Sequence, residues 1–130
     1  MKFTIKDIQA EHKKVKSGAD FPQYIQAVKN LGVYQYTVGV SDGSTEYFDV
    51  DHNSEQTESK YDVLTISNEL NLDQFKARLK LHQQGGTDYM TFCNDCAENG
   101  IKGWKMDLNI MTCTYLDQDG NEVLVEQIPG

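Results

Sequence analysis

Shifted by 68 positions, the sequence falls back into register with itself. Gly18 meets Gly86, Asp20 meets Asp88, Phe21 meets Tyr89, Tyr24 meets Phe92, Gly32 meets Gly100, Val33 meets Ile101 and Tyr36 meets Trp104. One inserted residue in the preceding helix brings Ile8 onto Phe75. Each half must then hold the same elements in the same order. A half of roughly 60 residues buries too little surface to stand alone, so the two are expected to share one core. The reading is a single domain over 1–130 with pseudo-repeats at 4–66 and 71–128, each a helix-helix-three-strand unit of an α+β fold.

Local signals supply the elements. Residues 4–17 predict a helix, with Thr4 as N-cap, Asp7 at the capping-box position, Phe3 as a staple, Ile5, Ile8 and Val15 on one stripe, and Gly18 as the stop. Asp20 caps a second helix with Pro22 in its first turn, and Phe21, Tyr24, Ile25, Val28 and Leu31 form its buried side up to Gly32. The period then changes to two. Tyr34, Tyr36, Val38 and Val40 share a strand face, Asp42-Gly43 reads as a two-residue hairpin turn, and strand 44–50 returns Thr45, Tyr47 and Asp49 opposite that face. After a polar connection at 51–60, a short strand is expected through Tyr61, Val63 and Ile66. The second half repeats the scheme: Asn71 caps a helix ending at Gly85-Gly86, Thr87 caps another ending at Gly100, and strands follow at 102–108, 111–117 and 121–128, the last two joined around Asp119-Gly120.

Charge and cysteine content narrow the function. Twenty acidic against 12 basic residues give a formal charge of -8, which opposes the counterion release that drives nucleic-acid binding. The basic run His12, Lys13, Lys14 and Lys16 reads as a solvated helix face. No apolar stretch reaches membrane-spanning length, no signal peptide is read at the N-terminus, and three cysteines do not make a disulfide framework. A cytoplasmic protein with reduced thiols is expected.

Cys93-Asn94-Asp95-Cys96 is the one motif with chemical promise, since a CxxC pair ligates zinc or cycles as a dithiol. A metal site would add Cys113 and either His82 or His12. Two features favour packing instead. Cys93 falls mid-helix, away from the helix N-terminus that stabilises a thiolate, and the repeat places Cys93 on Ile25 and Cys96 on Val28, both core positions. Cys113 is expected beside Met106, on the face holding Trp104 and Tyr115.

Other candidates have simpler roles. Asp42, Asp117 and Asp119 read as turn residues, and DQDGNE lacks the helix pair and twelfth-position glutamate of a calcium loop. No phosphate loop, GxSxG elbow or HExxH helix is present, so no catalytic residue and no cofactor is assigned. The aromatic residues are more informative. Tyr34, Tyr47 and Tyr61 are candidates for a partner surface, because tyrosine combines large contact area with a polar handle.

The segments SGADFP at 17–22, HQQGGTDYMTFC at 82–93 and MTCTY at 111–115 resemble the bacterial and prophage-associated family of the YbcV and YdfO proteins, over about residues 4–129. The resemblance implies a YdfO-like α+β fold and supplies no catalytic residues, although a phage-envelope label is sometimes attached to it. Together these readings lead to a small noncatalytic interaction or accessory protein, acting on a protein partner or on itself as a dimer. The alternatives are a small-molecule-binding protein or enzyme, and a metal or thiol-redox protein using the cysteines.

Overall fold

The computed structural model describes residues 3–15 and 20–128, except the Phe21 side chain. Among the described residues it is an α+β fold of four helices and six strands. The order is α1 Ile5–His12, α2 Phe21–Asn30, β1 Gln35–Gly39, β2 Thr45–Phe48, β3 Ser54–Gln56, α3 Leu72–Gln83, α4 Tyr89–Glu98, β4 Ile101–Asp107, β5 Thr112–Asp117 and β6 Glu122–Gln127. The strands form one antiparallel sheet in the order β3-β2-β1-β4-β5-β6.

Capping chemistry starts the helices as expected. The Thr4 hydroxyl accepts from the Asp7 amide while the Asp7 carboxylate accepts from the Thr4 amide, and Asn71 accepts from the Gln74 amide. Three expectations need correction, as does the length of α1. Helix α1 ends at His12 because the chain tightens there into bonds from Lys14 to Glu11 and from Val15 to His12; Gly18 and Lys16 lie outside the described residues. Asp88, not Thr87, caps α4, since the oxygens of Thr87 face Nδ1 of His82. Asp42-Gly43 is not a two-residue turn but closes a longer loop between β1 and β2, in which the Gly43 amide donates to the Gly39 carbonyl. The third strand of the first half is Ser54–Gln56, inside the expected polar connection, and Tyr61 to Ile66 form no strand.

One face of the sheet makes the core. Tyr36 lies opposite Tyr47 on one side and Met106 on the other, with Cys113 beyond Met106; Val38, Trp104 and Tyr115 form the next row. All are buried, and they join Ile8, Tyr24, Ile25 and Val28 of α1 and α2 and Phe75, Phe92 and Cys96 of α3 and α4 in one cluster. The central ladder pairs Thr37 with Lys105, residues that are themselves 68 positions apart, so this seam maps onto itself when the two halves are exchanged. Helices α2 and α4 likewise have ten residues each and begin 68 positions apart.

Candidate functional site

The thiols lie inside this core. Cys93, Cys96 and Cys113 are all free and buried. Burial pushes the thiols of Cys93 and Cys96 above their ordinary range and takes Cys113 up to about 12, so all three are neutral near pH 7. The Tyr61 and Tyr89 hydroxyls stand beside Cys93, and the Tyr115 hydroxyl stands beside Cys113. Cys113 faces Met106 across the β4–β5 ladder, in the place expected for it. Among the described residues no three His, Cys, Asp or Glu side chains converge as a metal site.

Two of the three histidines, His12 and His82, lie on helices. His82 stacks on Phe92 with ring centroids 4.4 Å apart, and with its proton on Nδ1 the neutral ring donates to the Thr87 carbonyl at 3.1 Å. His12 packs edge-on against Tyr24. Burial lowers the pKa of both imidazoles. The unfolded chain therefore takes up protons below about pH 6.5 that the folded chain refuses, and stability falls as pH drops from that value toward the lower folded pKa values. A second loss follows below pH 3.8. Asp42, Asp88 and Asp117 accept hydrogen bonds from Ser44, Thr91 and Asn121 that depress their pKa values, so the stability they contribute above 3.8 disappears as acid protonates them in the fold. Urea midpoints are expected to fall between pH 7 and pH 5, and to fall less in His82→Gln. Equal slopes in the two proteins would show that His82 does not titrate in this way.

The three tyrosine candidates have different environments. Tyr47 is 5% exposed and packs on Tyr36 at 5.1 Å. Tyr61 is half-buried, its hydroxyl donating to the Val40 carbonyl and its ring covering Gly43. Tyr34 is half-buried immediately before β1. The sheet face away from the core offers a mixed row, Glu46, Thr37, Lys105, Thr114 and Val125, rather than an aromatic patch.

A concave feature lies at the end of the sheet next to Tyr34. A cleft of about 340 Å³ opens between the C-terminal end of α2 and the β2–β3 and β4–β5 turns. Lys29, Tyr34, Asp51 and Asn53 bring polar groups to it, and Val33 and Leu108 bring apolar surface. Val50, which also lines the cleft, is 65% exposed, and Ile110 in the neighbouring turn is 60% exposed. The β2–β3 turn is held by the Asp49 carboxylate, which accepts from the amides of Asp51 at 2.9 Å and Asn53 at 3.0 Å. The β5–β6 turn is built alike, with Asp117 accepting from the amides of Asp119 at 3.0 Å and Asn121 at 2.9 Å. Sequence reasoning placed the second of these turns, around Asp119-Gly120, but missed the first and the likeness between the two. The signal was Asp-x-Asp-x-Asn at 49–53 and again at 117–121, spaced by the same 68 residues.

The chain matches the model of a family described as "Protein of unknown function (DUF1398)" over residues 9–127. A search of curated proteins returns no match.

Proposed function

We propose that this chain, which belongs to the DUF1398 family, is a noncatalytic interaction protein whose partner-facing site is the cleft between Tyr34, Val50 and Leu108. The observation that carries the reading is the exposure of two aliphatic side chains, Val50 and Ile110, beside a concave floor that mixes apolar surface with polar groups. Of the three tyrosine candidates, Tyr34 is the one that lines this cleft. The thiols support the same reading, because a buried, neutral thiol is neither a nucleophile nor a ready metal ligand. The finer kinship with YbcV and YdfO-like prophage-associated proteins rests on SGADFP, HQQGGTDYMTFC and MTCTY. We also take the two halves to be copies of one unit, on the strength of the matching helices, turns and central seam.

Panning a displayed peptide library against the immobilised protein tests the site. Enriched peptides are expected to lose about tenfold in affinity, equivalent to ~1.4 kcal/mol, for Val50→Glu while keeping it for Val125→Glu on the outer sheet face. Both positions are exposed, so neither substitution disturbs packing. Peptides that bind both variants equally, or a library that yields no binder, would overturn the assignment.

A further inference from the structure

The cleft has a counterpart at the opposite end of the sheet, and there the chain itself fills it. Exchanging the halves takes Leu108 to Val40, Asn109 to Ser41, Val50 to Gln118, Lys29 to Ala97 and Gly32 to Gly100. Every one of these five counterparts touches the connector between β3 and α3. The Val40 carbonyl accepts from the Tyr61 hydroxyl, and the Ser41 carbonyl accepts from the Leu64 amide at 2.7 Å. The Gln118 amide donates to the Ile66 carbonyl at 2.8 Å, and the Ala97 carbonyl accepts from the Ser67 amide at 2.8 Å. Gly100 lies so close to the connector that a Cβ there would stand 2.6 Å from the Glu69 carbonyl oxygen. Tyr61, Leu64 and Ile66 turn inward onto the core, whereas Val63 between them is 78% exposed. The occupied groove thus reads an aromatic-x-x-aliphatic-x-aliphatic segment, which forms no strand and is held by main-chain and side-chain bonds.

We propose that the open cleft takes a segment of the same pattern from a partner protein. This rests on the reading of the cleft as the partner-facing site. The incoming peptide would set its aromatic hydroxyl on the Leu108 carbonyl and an amide on the Asn109 carbonyl, as Tyr61 and Leu64 do on Val40 and Ser41. Its first aliphatic residue would pass between Tyr34 and Val50. The two ends differ where a different occupant requires it. Gln118, which bonds the connector backbone, is replaced by the apolar Val50, and Lys102 is replaced by Tyr34, so the open end relies more on apolar contact than the filled one.

The chain's own connector is the natural probe. The isotope-labelled protein is titrated with a synthetic peptide of sequence SKYDVLTISN, residues 59–68, and followed by NMR. Saturable shifts are expected at Tyr34, Val50, Asn53, Asn109 and Ile110, with none at Ser41, Gly100 and Gln118. Alanine at the peptide positions of Tyr61 and Leu64 is expected to abolish them, and Val50→Glu in the protein to weaken binding about tenfold. Absent shifts, shifts confined to the connector end, or equal binding of the alanine peptide would overturn the proposal. So would concentration-dependent dimerisation that produces the same shifts without peptide, since the occupant would then be a second copy. Library peptides that map to the cleft but lack the pattern would sink this inference while leaving the cleft as the site, so the two failures are distinguishable.

Discussion

Gly103→Ala is expected to destabilise the protein by about 3 kcal/mol, the upper part of the range for forcing an extra carbon into a packed interior. A Cβ at this position would stand 2.2 Å from the Val38 carbonyl oxygen. The obstacle is main chain rather than a side chain that could rotate away, so β1 and β4 must separate. That ladder joins the two three-stranded halves of the sheet, which makes the damage more than local. Gly39, the cross-strand partner of Gly103, is the internal control: its nearest neighbour to a built Cβ is the Ser44 carbonyl oxygen at 3.8 Å, an ordinary contact. Thermal denaturation should therefore lower Tm by about 10 °C for Gly103→Ala and by only a few degrees for Gly39→Ala. Equal, small shifts in both variants would mean that the seam is looser than its geometry indicates.

What could be read from the sequence follows from where the physics is local. N-caps and helix faces depend on residues three or four apart, so Thr4, Asn71, Tyr24 and Phe92 declared themselves, and the 68-residue offset placed α2 and α4 in parallel roles. Strand β3 escaped because Ser54, Glu55 and Gln56 are an edge strand with no apolar face, which suits an exposed edge but leaves no period-two signal. Its entry turn was hidden too. His52 has a φ of 66°, the left-handed backbone that Gly120 takes at the matching position with 84°, and a histidine does not announce such a turn as a glycine does. The segment from Tyr61 to Ile66 was apolar for a different purpose, with Tyr61, Leu64 and Ile66 packed against the core and Val63 outside. The cleft was least legible of all. A groove formed by three loops distant in sequence has no periodicity, and it stands out only against the filled groove at the other end.

Gly100→Ala is the second large effect expected, and it reports on that filled groove. The residue has a φ of 82°, and its Cβ would stand 2.6 Å from the Glu69 carbonyl oxygen. A left-handed conformation alone costs an alanine about 1–2 kcal/mol, and the main-chain clash adds a comparable amount, for a total of about 3 kcal/mol. Gly85 separates the two contributions, because it has the same φ of 82° and nothing within 4 Å of a built Cβ. Gly85→Ala should cost only the conformational share, about 1 kcal/mol. The difference between them measures how firmly the connector is seated. If α4 and β4 hold their positions, the chain relieves the clash by lifting residues 67–71, and the amides of Ser67 and Asn71, which donate to Ala97 and Asn99, should lose hydrogen-exchange protection before the sheet does. Protection lost together across connector and sheet would instead make the connector part of the global fold. Selective loss would make it a ligand held in place by its own covalent chain, the arrangement on which the cleft at the other end of the sheet is proposed to draw for a partner.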